Sequence, residues 1–153
     1  MTRYEPVGPA PSATGCQSGT RALGLAIADV WPELTSMKGA YGCWNRRRVV
    51  GGTAWSMHAE GRALDVGVPA SQNAAGWGLA CDLTVAHAAL DVQRVIWDHH
   101  IWSIEEAAGW RRLRPTSLQH VDHLHVEHRW NGANKPATIR AEYTARLRLE
   151  RTR

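Results

Sequence analysis

The stretch SMHAEGRALDVGV, residues 56 to 68, places a histidine and an aspartate seven positions apart with a glycine between them. On one helix, His58 and Asp65 would be separated by ~10 Å of rise, and on one extended strand by roughly 23 Å. Only a chain that reverses near Gly61 brings the two side chains to one point, and metal binding is the commonest reason for such an arrangement. The alternative is that His58 lies in an ordinary loop and Asp65 ends a strand. This stretch alone leaves both interpretations open.

The second half of the stretch, ALDVGV, alternates as a half-buried strand does. The face that would pack on the core holds Leu64, Val66 and Val68. Asp65 falls on the opposite face between two small residues, Ala63 and Gly67, because successive side chains of a strand point to opposite sides. Small neighbours leave room for an ion and a substrate. A half-exposed strand with a solvated aspartate is the alternative.

A second cluster, QHVDHLHVEH at residues 119 to 128, holds four of the eight histidines of the chain with one aspartate and one glutamate. If residues 124 and 126 face the core, His123, His125 and Glu127 share the opposite face. Two imidazoles that point the same way from one strand are suited to zinc. Histidine clusters also occur on protein surfaces without binding a metal. Spacing does not say which histidine binds metal, and the candidates are His120, His123 and His125.

The two clusters together predict a catalytic zinc site. His58, Asp65 and one histidine of the second cluster would supply three ligands and leave a fourth position for water, whose pKa the ion would lower to about 7. A nearby carboxylate could then accept the proton during attack. Asp122 and Glu127 are the two candidates for that role.

The order of the predicted helices and strands along the rest of the chain indicates an α+β fold. In it, a small antiparallel β-sheet is flanked by helices and carries the zinc site in a cleft. A helix should begin near Ser18 and end before Pro32, and a second helical stripe runs from Leu79 to Leu90. QRVIWDHHIWS predicts a hairpin, LHVEHRW a last strand and NGANKP a turn. The predicted parts are an N-terminal arm at 1–14, the zinc domain at 15–134 and a basic, helical tail at 135–153.

Composition limits the class of protein. The chain has 153 residues, 44% of them hydrophobic, which is typical of one globular domain. The tail from residue 135 carries six basic and two acidic residues, so it accounts for the whole net charge of +4. Such a tail could bind an anionic polymer or be a solvated helix. Three cysteines without a C-x-x-C pair favour a reducing compartment, although a bridge between Cys16 and Cys43 stays open.

The two clusters resemble the LAS-type zinc peptidases, which include D-alanyl-D-alanine carboxypeptidases and L-alanyl-D-glutamate endopeptidases. SMHAEGRALD matches the S-x-H-x-x-G-x-A-x-D signature, and DHLH matches the acid-x-x-His that follows it. The span from residue 41 to residue 126, with VIWDHHIWS between the motifs, is similar to the phage and bacterial branch. Members of that branch act on the peptide stems of bacterial peptidoglycan, and many are phage endolysins.

The resemblance implies roles for individual residues. His58, Asp65 and His125 would bind zinc, and Asp122 would act as the general base. His123 would contact substrate or support a ligand, and Ser56 would support the site by hydrogen bonding or contact substrate. Family members also place an arginine upstream that steadies the developing negative charge. The candidates here are Arg46, Arg47 and Arg48, of which Arg46 is preferred over the interpretation as a solvated basic loop.

The expected function is therefore zinc-dependent hydrolysis of amide bonds in the peptide stems of peptidoglycan. The expected enzyme is a monomeric metallopeptidase of the D,D-carboxypeptidase or L-Ala-D-Glu endopeptidase type, and peptidoglycan is its expected partner. No signal peptide or membrane span is visible. The expectation is thus a phage endolysin made in the cytoplasm that reaches the cell wall through a separate pore.

Two other functions fit part of the pattern. HVDHLHVEHRWNGANK could be an HNH-like metal-dependent nuclease, with the basic tail binding nucleic acid. However, no histidine follows His128, and the first cluster would then have no role. The third possibility is a non-catalytic module that binds zinc and the cell wall, against which the intact Asp122 argues.

Overall fold

The strands form one antiparallel sheet. They are β1 (Ala63–Gly67), β2 (Val92–Trp97), β3 (His100–Ser103), β4 (Arg111–Arg112) and β5 (His123–His128). Their order across the sheet is β1-β5-β2-β3-β4. The protein is seen in a computed structural model that describes residues 3–34, 42–106, 109–115 and 117–150, with residues 146–150 described by their backbone alone.

The helices follow the predicted periodicity with one interruption. They are α1 (Ser18–Val30), α2 (Asn73–Val85), α3 (His87–Leu90), α4 (Trp130–Ala133) and α5 (Pro136–Glu150). Short 3-10 turns cover Pro32–Leu34, Met57–Glu60 and Ala70–Gln72. Helix α1 ends just before Pro32, as predicted, because a proline ring clashes with the preceding turn of a helix. The second predicted helix is divided at Ala86 into α2 and α3.

One face of the sheet and the helices enclose the core. Its buried residues include Leu23, Ile27, Leu64, Val66, Leu79, Leu83, Val95, Leu124, Val126, Ile139 and Tyr143. Strands β1 and β5 contribute every second residue to it, as the alternation predicted. The α+β class, the antiparallel sheet and the single small domain are confirmed. Among the described residues, no helix has the length and apolar character needed to cross a membrane.

The other face of β1 and β5 carries the polar residues. The register pairs Asp65 with His125, Gly67 with His123 and Ala63 with Glu127. Directly opposite residues of an antiparallel pair have Cβ atoms about 5 Å apart. The two sequence clusters therefore meet across adjacent strands.

The β2–β3 hairpin was also predicted correctly. Its turn consists of Asp98 and His99, which both have positive φ values of 42° and 65°, as a two-residue hairpin turn with right-handed strand twist requires. The backbone N–H groups of these two residues donate to the carbonyls of His120 and Gln119, at 2.9 Å each. The hairpin thus fixes the loop that leads into β5.

Two terminal segments pack against the domain. The N-terminal arm lies against the sheet, and the hydroxyl of Tyr4 donates to Glu127 at 2.7 Å. The buried guanidinium of Arg62 donates to the carbonyl oxygens of Glu5 and Pro6 in this arm. At the other end, α5 contributes Ile139 and Tyr143 to the core, so this helix is part of the domain.

One prediction was wrong. NGANKP is not a turn, because it contains the end of α4, and the Asp91 carboxylate accepts the N–H of Gly132 there at 2.9 Å. The bridge that the sequence left open is present, because Cys16 and Cys43 form a disulfide, whereas Cys81 is free and exposed. Pairing could not be derived from the sequence because it depends on a contact between residues 27 positions apart.

His128 at the end of β5 is buried and neutral. Its Nδ1 atom lies 3.1 Å from the Thr20 hydroxyl, and Arg62 donates to its carbonyl at 2.9 Å. Burial, followed by the positive charge of Arg62, lowers the pKa of His128 from 6.5 to about 4. Between these two values the unfolded chain binds more protons than the folded protein, so the contribution of His128 to stability is complete above pH 6.5 and is lost toward pH 4.

We therefore expect the free energy of unfolding of the His128→Asn variant to depend less on pH between pH 6.5 and pH 4 than that of the original protein. From pH 6.5 to pH 4, the free energy of unfolding of the original protein should fall by about 3 kcal/mol more than that of the variant. Urea unfolding at both pH values, in the presence of a chelator, measures this difference. Equal losses in the two proteins would contradict a neutral His128.

Candidate metal centre

His58 is positioned by a short turn. The Ser56 hydroxyl accepts the N–H of His58 at 3.4 Å and so caps the 3-10 turn Met57–Glu60. Gly61 ends the turn in the left-handed region at φ 67°, which glycine adopts without strain. The predicted reversal at Gly61 is confirmed. Ser56 itself is buried, at 5% exposure, and its contact is this cap, which supports His58 from within the fold.

The outer nitrogen of His58 is held by the backbone. Its Nδ1 donates to the carbonyl of Cys43 at 3.0 Å, because a carbonyl oxygen can only accept. The tautomer is thereby fixed, and Nε2 presents its lone pair to the sheet. The loop that provides the carbonyl also pairs with β1, since Asp65 N–H donates to the Gly42 carbonyl at 3.2 Å.

Three side chains converge on one face of β1 and β5. The Nδ1 atom of His125 lies 2.8 Å from Oδ1 of Asp65, and Nε2 of His58 lies 3.2 Å from Oδ2 of Asp65. The facing nitrogens of His58 and His125 are 3.2 Å apart. One ligand atom from each of the three residues falls within 4.8 Å of the others. The structure thus brings together the ligand set that the resemblance implies.

Glu127 holds the outer nitrogen of His125. Its Oε1 accepts from Nε2 of His125 at 3.1 Å, and its Oε2 accepts from the Tyr4 hydroxyl and lies 3.6 Å from Arg94. Burial alone would raise the pKa of Glu127, but the hydrogen bond from His125 and the charge of Arg94 lower it to about 2. Glu127 is therefore a buried carboxylate that orients the His125 ring, whereas Asp122, the other carboxylate considered as a proton acceptor, is exposed.

The cluster attracts positive charge. Burial alone would lower the pKa of His125, but hydrogen bonds to Asp65 and Glu127 raise it to about 9. Burial alone would raise the pKa of Asp65, yet the bonds from His125 and His58 hold it well below its usual range. Two imidazole nitrogens and one carboxylate oxygen are a donor set that fits zinc. Each imidazole is also held at its other nitrogen by a hydrogen-bond partner, as is usual for histidines that bind a metal.

Asp122 and His123 form a pair between solvent and the cluster. Asp122 is 75% exposed, and its carboxylate accepts from Nδ1 of His123 at 2.7 Å, which lowers the pKa of Asp122. The Nε2 atom of His123 lies 4.0 Å from Oδ1 of Asp65. The carbonyl of Asp122 accepts the N–H of Val68 at 2.9 Å and fixes this turn beyond the end of β1. The pair therefore extends from solvent to the cluster.

His120 lies beside the cluster without joining it. Its ring centroid is 4.8 Å from that of His123 and 5.7 Å from that of His125. Its backbone has φ 51°, and its Nδ1 donates to the Leu118 carbonyl at 2.8 Å. Of the three histidines that spacing left open, His125 is the one that the structure groups with His58 and Asp65.

The arginine run lies on an exposed loop. The Arg46 guanidinium is 5.6 Å and the Arg48 guanidinium 3.8 Å from the centroid of the Trp55 ring. Arg47 donates to the Arg48 carbonyl. These contacts place the side chains of Arg46 and Arg48 at Trp55.

Sequence reasoning missed the groups behind the ligands. The Cys43 carbonyl is a backbone atom and leaves no trace in residue type. Tyr4 is 123 positions from the glutamate that it contacts. Glu127 was named only as a possible proton acceptor, and its contact with His125 was missed, although alternation puts it on the same face and metal-binding histidines commonly donate to a carboxylate.

An antiparallel α+β domain with two histidines and an aspartate converging on one sheet face defines a small protein with a candidate metal centre. The chain belongs to the family described as VldE, C-terminal domain, whose model matches residues 12–124. The matched span contains His58, Asp65 and Asp122, and it ends one residue before His125. Comparison with curated proteins gives no match, and comparison with solved structures gives none.

We expect Glu127→Gln to weaken zinc binding 10- to 100-fold, which is the usual cost of removing the partner of a metal-binding histidine. The amide can still accept from His125, but it lacks the charge that raises the basicity of the ring. Competition with a chromophoric chelator measures the affinity. Glu105→Gln, at an exposed carboxylate, is the matched control and should bind as the original does. Equal affinity in both variants would remove Glu127 from the site.

Proposed function

We propose that the protein is a zinc-dependent peptidase that hydrolyses amide bonds in the peptide stems of bacterial peptidoglycan. One observation carries the proposal. The nitrogens of His58 and His125 face each other at 3.2 Å beside Asp65, while the other nitrogen of each ring is bound by Cys43 or Glu127. Rings fixed in this way present ligand atoms to a cation between them.

Three protein ligands are the number found at catalytic zinc sites, which keep a further position open. A zinc ion held there would act as a Lewis acid toward a carbonyl group and lower the pKa of a water molecule. The exposed edge of the cluster is formed by Asp65, whose side chain is 24% exposed. A substrate amide could approach from this side, next to Asp122 and His123.

In this proposal, Asp122 accepts the proton of the attacking water and later donates it to the leaving amine. Its exposed, ionised carboxylate and its bond to a histidine that extends toward Asp65 support this role. An arginine would stabilise the negative charge that develops on the carbonyl oxygen. Arg46 is our candidate.

The substrate class rests on the resemblance of SMHAEGRALD and DHLH to LAS-type peptidases, with peptidoglycan as the partner and a phage endolysin as the setting. We place the activity at the cell wall. The disulfide supports a site of action outside the reducing cytosol, because structural disulfides persist in oxidising environments.

Digestion of purified peptidoglycan tests the proposal. The zinc-loaded protein should release fragments with new amino and carboxyl termini in the peptide stems, as seen by mass spectrometry, and a chelator should stop the release. The masses identify the bond that is cut. Unchanged peptidoglycan with zinc bound would indicate the binding module, and metal-dependent nicking of plasmid DNA would indicate the nuclease.

A further inference from the structure

The disulfide is attached to the loop that positions two candidate ligands. We call residues 42–45 the ligand loop. Its Cys43 carbonyl fixes the His58 ring, and its Gly42 carbonyl accepts the N–H of Asp65. A Cβ on Gly42 would lie 3.4 Å from Oδ2 of Asp65, so the loop runs directly against this carboxylate. Displacement of the loop would therefore disturb both ligands.

The other end of the disulfide is attached to the turn that carries His58. Next to Cys16, Gln17 donates its N–H to the Gly61 carbonyl and its side-chain amide to the Glu60 carbonyl, each at 3.0 Å. A Cβ on Gly61 would lie 3.1 Å from the Cα of Cys16. The disulfide thus joins the ligand loop to a segment that is itself docked on the His58 turn.

We infer that the Cys16–Cys43 disulfide is a redox switch for metal binding. In the oxidised protein the crosslink holds the ligand loop, and zinc binds. A cellular dithiol reduces the protein in two thiol–disulfide exchange steps: two electrons and two protons pass to Cys16 and Cys43, the S–S bond breaks, and the dithiol closes to its own disulfide. The free loop then no longer holds the Cys43 carbonyl at His58, and zinc affinity falls.

Of the two bridged cysteines, Cys16 is the one that a reductant would reach, because Cys43 is buried at 6% exposure. Cys16 and Cys43 line a cavity of about 290 Å³, and Cys16 is half-buried. The inference rests on the metal centre alone and holds for any bond that the protein cuts. Its consequence is a protein that binds metal weakly in a reducing compartment and tightly after it reaches an oxidising one.

Zinc affinity measured by chelator competition tests the switch without any assay of activity. The Cys16→Ser/Cys43→Ser double variant should bind zinc 10- to 100-fold more weakly than the oxidised original, as expected for loss of a partner of a ligand. Cys81→Ser, which removes the free thiol, should bind as the original does. Ile139→Ala weakens the core through another element and should also keep its affinity at a temperature where circular dichroism shows it folded. A folded double variant with unchanged affinity overturns the inference.

A second measurement decides the matter if the double variant does not fold. Coupling between two sites is reciprocal, so zinc must protect the disulfide by the factor by which the disulfide strengthens zinc binding. In Cys81→Ser, the value of [GSH]²/[GSSG] at which half of the disulfide is reduced should rise with buffered free zinc. A ratio independent of zinc overturns the switch. Failure of the oxidised original to bind zinc is a distinct result, which overturns the metal centre itself.

Discussion

His125→Ala should reduce zinc affinity by more than about 100-fold, because loss of a direct ligand costs more than the 10- to 100-fold typical of its outer partner. The substitution removes the nitrogen that faces His58 and leaves Asp65 and Glu127 without the hydrogen bonds that His125 supplies. Chelator competition at neutral pH measures the affinity, and circular dichroism checks the fold.

Two comparisons make this result specific to the site. His58→Ala and Asp65→Ala should lose zinc as His125→Ala does. His87→Ala is the matched control, since its half-buried imidazole donates to the Thr84 carbonyl on another part of the fold. A folded His125→Ala variant that binds zinc as tightly as His87→Ala would exclude His125 as a ligand.

Asp122→Asn should keep zinc and lose turnover on peptidoglycan, by about 10²- to 10⁴-fold in kcat, the usual contribution of a general acid or base. The amide keeps the shape of the carboxylate and an oxygen that can accept from His123, but it cannot take a proton. Release of new amino groups from purified peptidoglycan measures the rate, and zinc affinity is measured on the same sample.

Asp29→Asn is the control, because its exposed carboxylate pairs with Arg140 on the surface. His123→Gln distinguishes the role of His123 from that of Asp122, its hydrogen-bond partner. If Asp122 is the base, this variant should keep more activity than Asp122→Asn. Full activity of Asp122→Asn would contradict the assignment of the base.

Most of what the sequence could predict about the site came from the alternation of apolar and polar residues along β1 and β5. Because side chains of a strand have a period of two, Leu64 and Val66 placed Asp65 on the opposite face, and Leu124 and Val126 did the same for His125. The pairing of Asp65 with His125 was not predictable, since the register of strands 60 positions apart depends on the tertiary fold. The resemblance identified His125, and periodicity alone did not.

The parts that could not be predicted depend on contacts distant in sequence or on the backbone. The Cys43 carbonyl that fixes His58 carries no information in residue type, and the bridge between Cys16 and Cys43 was left open by the sequence. The N-terminal arm contains prolines and small residues that predict a loop, yet Tyr4 reaches the carboxylate behind His125. Helix α4 lies within a sequence rich in turn formers, where Asp91 accepts the N–H of Gly132.

Binding of an anionic polymer by the basic tail remains a prediction. Arg140 contacts Asp29 at 3.2 Å, and Arg151 and Arg153 lie outside the described residues, as do the side chains of Arg146 and Arg148. Binding of an anionic polymer is therefore proposed only from charge. The candidate ligands of the metal centre come from the His58 turn, β1 and β5, and none of them lies in the tail.

X-ray absorption spectroscopy at the zinc edge of the oxidised, zinc-loaded protein tests the metal centre most directly. We predict one zinc per chain with nitrogen and oxygen ligands at roughly 2.0–2.1 Å, two of them imidazoles, and no sulfur ligand. The His125→Ala variant should lose this spectrum. A sulfur ligand at about 2.3 Å, or a set of three or four imidazoles, would contradict a site made of His58, Asp65 and His125.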